Sequence, residues 1–137
     1  MEPLQVHASI GLAADARSAS QARRFITEFC NAAGLDEDLC ATAALLVSEL
    51  VANAVLHGGS HAELDARTPG GRLRVAVTDK NPKLPRTGLS PDLTAENGRG
   101  LILVSTLADR WGVEQTPSGG KAVWFELDIG QSRSLTQ

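Results

Sequence analysis

Leu45–Gly59 reads LLVSELVANAVLHGG, and its spacing organises the rest of the chain. Leu46, Val47, Leu50, Ala54 and Val55 recur at three- and four-residue intervals, the mark of a helix with one buried stripe. Leu39 and Ala43 carry that stripe back toward Asp36, which stands where an N-cap belongs, with Glu37 and Asp38 in the first turn. The spacing therefore predicts a helix from about Asp36 to about Leu56, the most apolar in the chain, ended by His57-Gly58-Gly59.

Toward the N-terminus, Ala22, Phe25, Ile26, Phe29, Ala32 and Ala33 share a helical face opposite Arg23, Arg24 and Glu28, and Gly34 is a stop signal. Before that helix, Leu4, Val6, Ala8, Ile10 and Leu12 alternate with polar or small residues, as in a strand with one buried face. On the other side, Ala62, Leu64 and Ala66 and then Leu73, Val75 and Val77 alternate about Pro69-Gly70-Gly71, which predicts a hairpin. Lys80–Asn97 holds four of the prolines and glycines that interrupt regular structure, Pro82, Pro85, Gly88 and Pro91, and reads as a long functional or disordered loop. Gly98-Arg99-Gly100 is expected to open a short helix, Leu101 to Ala108. A strand around Trp111–Gln115, a Pro117–Gly120 turn and a strand with Val123, Phe125, Leu127 and Ile129 on one face close the order.

That order predicts an α+β fold, a two-layer sandwich whose mixed, mostly antiparallel sheet is covered on one face by about three helices. Its 137 residues fit one domain, with a core from about 5 to 129 and a polar tail over 130–137. The 42% hydrophobic and 21% charged composition excludes a disordered or fibrous chain. A net charge of −3 and 4% aromatic residues argue against a dedicated nucleic-acid binder. No uninterrupted apolar run approaches the ~18 residues of a membrane span, and MEPLQVHASIG lacks a secretory pattern, so the expected location is cytoplasmic. Cys30 and Cys40 belong to no metal-ligand spacing and read as buried thiols.

Four groups of residues are candidates for chemistry, none decisive alone. Glu49, Asn53 and His57 recur every fourth residue along one side of the apolar helix. Such a seam is either a solvated edge or a working pair: an amide oxygen is a hard ligand for Mg²⁺, and a carboxylate beside it can act as a general base. Val75-Ala76-Val77-Thr78-Asp79 is a strand ending in a carboxylate, which either starts a turn or accepts a hydrogen bond from an exocyclic amine such as that of adenine. Asn97-Gly98-Arg99-Gly100, leading into a helix, suits close backbone approach to an anion such as phosphate. Gly119-Gly120-Lys121-Ala122 lacks the spacing and the Ser/Thr of a phosphate-binding Walker loop and is not one.

Taken together, LLVSELVANAVLHGG (Leu45–Gly59), VAVTDKNPKLP (Val75–Pro85), ENGRGLILVSTLADRWGV (Glu96–Val113) and GGKAVWFEL (Gly119–Leu127) resemble the GHKL superfamily, the histidine-kinase-like ATPases of the Bergerat fold. The nearest branch in character is that of the single-domain anti-sigma-factor serine/threonine kinases, including the ATP-binding regulators of actinobacteria. The resemblance runs from about Val6 to Ile129.

The resemblance implies the following roles. Glu49 matches the general base and Asn53 the Mg²⁺ ligand. Asp79 matches the carboxylate that receives the adenine amine. Gly98 and Gly100, with Arg99 and Leu101 beside them, match the box that closes a lid over the phosphates of ATP, and Lys80–Asn97 corresponds to the lid before it. The protein implied is an Mg-ATP-dependent Ser/Thr kinase that phosphorylates an anti-sigma-factor antagonist and sequesters a sigma factor. It would bind neither nucleic acid nor membrane and could form a homodimer. The alternative is a nucleotide-gated protein-binding module without kinase activity.

This chain departs from the family pattern at two places. Asn81 and Lys83 occupy glycine positions of the adenine box, with Pro82 between them, and Lys121 stands where a Thr is usual. A lysine there can approach the adenine or a phosphate, and its expected place is in solvent.

Overall fold

We describe residues 6–57, 61–80 and 95–130 of a computed structural model of the chain, with the backbone alone at 56–57 and 95–100. Period-two alternation produces five strands: β1 (His7–Leu12), β2 (Ala62–Arg67), β3 (Arg72–Asp79), β4 (Arg110–Gln115) and β5 (Lys121–Asp128). Their order across the sheet is β1-β2-β3-β5-β4. All four pairings are antiparallel, so the parallel pair that a mixed sheet would contain is not found among the described residues.

Three helices, α1 (Ser18–Ala32), α2 (Glu37–Ala52) and α3 (Ala95–Leu107), cover one face. The α+β sandwich expected from the periodicities is the fold observed. On β3, Leu73, Val75, Val77 and Asp79 are buried while the residues between them are half-exposed. Phe125, Leu127, Leu64, Ile26, Leu46 and Val47 join them in one core. Each such side chain contributes about 1.5–3 kcal/mol of burial free energy. Glu37–Val55 has the length and mean hydropathy of a membrane span, 1.5, but half of that stretch is buried against the core. It is the central helix of the sandwich.

The corner between α1 and α2 follows from local chemistry. Gly34 takes φ +72°, and Leu35 N–H donates to Cys30 O at 3.0 Å while Gly34 N–H donates to Asn31 O at 3.1 Å. This paired closure of a helix end is open to glycine without a Cβ penalty. Asp36 then caps α2, its carboxylate accepting from the Asp38 N–H at 3.2 Å. Cys30 and Cys40 are buried where α1 meets α2, and burial pushes the Cys30 thiol well above its ordinary range.

The outer face of the sheet is polar and tightly paired. Glu126 on β5 is only 6% exposed and lies among Arg72, Arg74 and Arg110. Arg74 also stacks over the Trp124 ring, 4.2 Å from its centroid. Burial alone would raise the Glu126 pKa, but hydrogen bonds from Arg110 and Arg74 and the nearby arginine charges outweigh it and hold the carboxyl below its ordinary value. The same bonds, to Glu126 and to Asp128, raise Arg110.

Candidate functional site

α2 does not end as an ordinary α-helix. Asn53 N–H bonds to both Glu49 O and Leu50 O, and from Asn53 to His57 the backbone widens into a π-helical turn. Glu49 and Asn53 are therefore stacked one turn apart, as their spacing predicts, and both are half-buried. The π turn packs against β3 and α3, so Asn53 stands at a junction of the helical layer with the sheet. Helical widenings of this kind recur at functional sites. The His57 side chain lies outside the described residues.

Asp79 reaches the same end of the molecule from the sheet. Alternation along β3 sends it inward with Leu73, Val75 and Val77, and it is 4% exposed. It is cross-strand to Lys121, the first residue of β5. Lys121 Nζ donates to Asp79 Oδ1 at 3.0 Å, and Lys121 is 6% exposed. The expectation of a solvated lysine is thus overturned. Residues directly opposite in an antiparallel pair project to the same face, and here that face points into the helical layer. An inward ammonium there is matched by an inward carboxylate. Breaking a buried ion pair by removal of one partner costs about 3–5 kcal/mol.

Gly120 makes this pairing sterically possible. A Cβ at that position would lie 2.0 Å from the Asp79 carbonyl oxygen and 2.9 Å from Lys80 Cα. Thr116 fixes the turn that delivers it: its Oγ1 accepts from Gly120 N–H, and its N–H donates to Gly120 O, both at 3.0 Å. Sequence reasoning placed Gly120 at the end of the Pro117–Gly120 turn and did not foresee this close approach, although a glycine three residues before Val123 marks a close strand entry.

Asp79 also lines an open cavity of about 460 Å³ with Leu12, His61, Thr78, Lys80 and Ser118. That volume lies within the range of small-molecule sites. No cluster of three or more candidate metal ligands exists among the described residues. The amide oxygen of Asn53 fits Mg²⁺ in another way, because this ion is held by one or two protein oxygens and completes its shell from phosphates and water.

The glycine-rich segment sits differently from expectation. α3 begins at Ala95, so Gly98 is its fourth residue and Gly100 lies in its second turn. The backbone N–H of Gly100 accordingly belongs to the helix interior and not to an N-terminal anion cradle. The Asn97 and Arg99 side chains, and residues 81–94 of the expected lid with Asn81 and Lys83, lie outside the described residues. Leu101 is buried, 2% exposed, and serves the core.

A family model described as a histidine kinase-like ATPase domain matches residues 12–127. An uncharacterised protein of Streptomyces coelicolor is 38% identical over 73 residues, which cover 50% of this chain and 70% of that protein. Among solved structures, the RsbU and RsbW domains of Rv1364c from Mycobacterium tuberculosis superpose with a TM-score of 0.70 at 21% identity over 93% of this chain. The Erythrobacter litoralis EL346 blue-light activated histidine kinase gives 0.55 at 24% identity over 74%. This chain spans 33% and 34% of the lengths of those two chains, and at such identities the likeness is one of fold.

Proposed function

The chain belongs to the histidine kinase-like ATPase family, and from that premise we propose that it is a cytoplasmic ATP-binding regulator that transfers phosphate to a Ser or Thr of an anti-sigma-factor antagonist and sequesters a sigma factor. The observation that carries the reading is the stacking of Glu49 and Asn53 at the widened end of α2, which packs on the strand that ends in Asp79. The likeness of fold to the RsbU and RsbW domains of Rv1364c supports the choice of partner class.

In this reading Glu49 takes the proton from the partner hydroxyl as the hydroxyl oxygen bonds to the terminal phosphorus of ATP and the bond from that phosphorus to the β-phosphate oxygen breaks, ADP being the leaving group. A half-buried carboxylate on a rigid helix suits that task, since it is held in place yet reachable. Asn53 offers its amide oxygen to Mg²⁺, which when bound supplies neutralisation of phosphate charge. Asp79 fixes the base at the floor of the site, and the remaining acceleration comes from positioning. The Asp79–Lys121 pair favours a second reading, in which the chain senses nucleotide and docks to proteins without transferring phosphate.

The test is Glu49→Ala, assayed by Mg-ATP-dependent phosphorylation of the partner recovered with the full chain. A loss of transfer of at least a hundredfold with nucleotide affinity retained is the expected outcome. Transfer at the wild-type rate would remove Glu49 from its role as base. No transfer by the wild-type chain, with nucleotide bound, would favour the docking reading.

A further inference from the structure

The plane of an aspartate carboxylate is not fixed by its own rotamer, because the terminal torsion of that side chain has a broad preference. A carboxylate that must meet the exocyclic amine of a base therefore depends on its neighbours for its aim. In the β3–β5 ladder Asp79 and Lys121 are directly opposed. Lys121 Nζ donates to Asp79 Oδ1 at 3.0 Å, and the lysine and aspartate side chains are only 8% and 2% exposed. The lysine stem is held in packing, and its bond to one carboxylate oxygen restricts the plane in which the other lies.

Lys121 does not itself line the cavity to which Asp79 contributes, so any effect it has on an occupant passes through Asp79. Both residues make further interactions, so what the Lys121 bond supplies is orientation and not the sole compensation of a buried charge. An ionised carboxylate has about four acceptor positions, and a lysine on Oδ1 is compatible with a second donor from a base. The strand ends keep the two residues in register. Gly120 is pressed against the Asp79 backbone immediately before Lys121, and Thr116 Oγ1 closes the turn by accepting from Gly120 N–H at 3.0 Å.

Resting on the nucleotide reading above, we propose that Lys121 is a positioning residue that acts through Asp79, holding the plane of its carboxylate so that adenine is recognised by its 6-amino group. The lysine touches neither base nor phosphate. The strength of one hydrogen bond, and with it the preference for a 6-aminopurine, then depends on a side chain from the neighbouring strand.

Calorimetric titration of the full chain with Mg-ATP and with the Mg complex of purine riboside triphosphate, in wild type and in Lys121→Met, tests this. Purine riboside lacks the 6-amino group of adenosine, so it reports every contact except the one to Asp79. Methionine is unbranched like lysine and carries no donor. The wild type is expected to prefer ATP by at least about tenfold, and Lys121→Met to lose at least about fivefold in ATP affinity while its affinity for the purine riboside nucleotide stays within about twofold. A merely structural lysine would weaken both nucleotides together and leave their ratio alone, and that result would overturn the inference with the nucleotide reading intact. If Lys121→Met does not fold, Lys121→Leu is read against the same thresholds. A wild-type preference for ATP below about threefold would overturn the inference whatever the variants do. Failure of the folded wild type to bind either nucleotide would overturn the nucleotide reading as well.

Discussion

Gly120→Ala is the sharpest perturbation of the corner that holds Asp79. The added methyl would lie 2.0 Å from the Asp79 carbonyl oxygen, 2.9 Å from Lys80 Cα and 3.0 Å from the Asp79 carbonyl carbon, where ordinary contact begins at 3.4 Å. All three opposing atoms are backbone, so no rotamer change relieves the clash. The ends of β3 and β5 must part by about 1.4 Å to restore ordinary contact. A movement of that size weakens the 3.0 Å Asp79–Lys121 bond, since the lysine side chain must reach further to keep it. Overpacking costs about 1–3 kcal/mol, and weakening of the buried pair and the strand-end bonds adds about 1 kcal/mol or more. The total expected loss is about 2–4 kcal/mol. Urea unfolding followed by circular dichroism reads the stability, and nucleotide titration reads the site. Gly119→Ala is the control: its φ of +98° strains any side chain, but nothing lies within 4 Å of its Cβ. It should cost only about 1 kcal/mol. A Gly120→Ala protein within about 0.5 kcal/mol of wild type, or no worse than Gly119→Ala, would refute the steric reasoning.

Three further outcomes are expected. Gly112→Ala brings a Cβ to 2.9 Å from the Trp124 ring, so the ring must tilt off its place beneath Arg74, costing about 1–2 kcal/mol; an unchanged near-ultraviolet tryptophan spectrum would contradict this. Glu126→Gln should lower stability by about 1–2 kcal/mol near neutral pH, between the value of an exposed and a buried pair, because its arginine partners are 28% to 43% exposed. The folded-state pKa of Glu126 lies below its ordinary 4.5, so its contribution is complete above that value and is lost as pH falls through the folded value. The gap between wild type and variant should therefore shrink on acidification below about pH 4.5, and a pH-independent gap would show that charge is not involved.

The element order was legible because period-two and period-3.6 patterns are local properties of the chain, and burial of Leu39, Ala43, Leu46, Val47, Leu50, Ala54 and Val55 follows the stripe read from α2. Beyond the β2–β3 hairpin, which its Pro-Gly-Gly turn announced, strand partners were not legible, since alternation says which face a residue takes but not which strand lies alongside. That β5 inserts between β3 and β4 is what sets Lys121 opposite Asp79. With that pairing unknown, an inward lysine had no visible partner and was assigned to solvent. Glu126 shows the same limit: it alternates onto the polar face, yet arginines from both flanking strands converge to bury it. α3 starts at Ala95 and not at Leu101, because Gly98 and Gly100, each about 1 kcal/mol poorer than Ala in a helix, read locally as a boundary. Glu49 and Asn53 stand one turn apart as their spacing required, because a helical interval fixes geometry without help from the rest of the fold.

The central claim is that nucleotide binds at the corner floored by Asp79. Thermal unfolding of the wild-type chain and of Asp79→Asn, each with and without Mg-ATP, tests it most directly. At nucleotide concentrations about 100-fold above Kd, linkage adds ~2.7 kcal/mol to wild-type stability. For a chain of this size that raises Tm by roughly 8–10 °C, whereas Asp79→Asn should gain little over its own unliganded Tm. No rise in the wild type at millimolar Mg-ATP, or an equal rise in Asp79→Asn, would contradict the account.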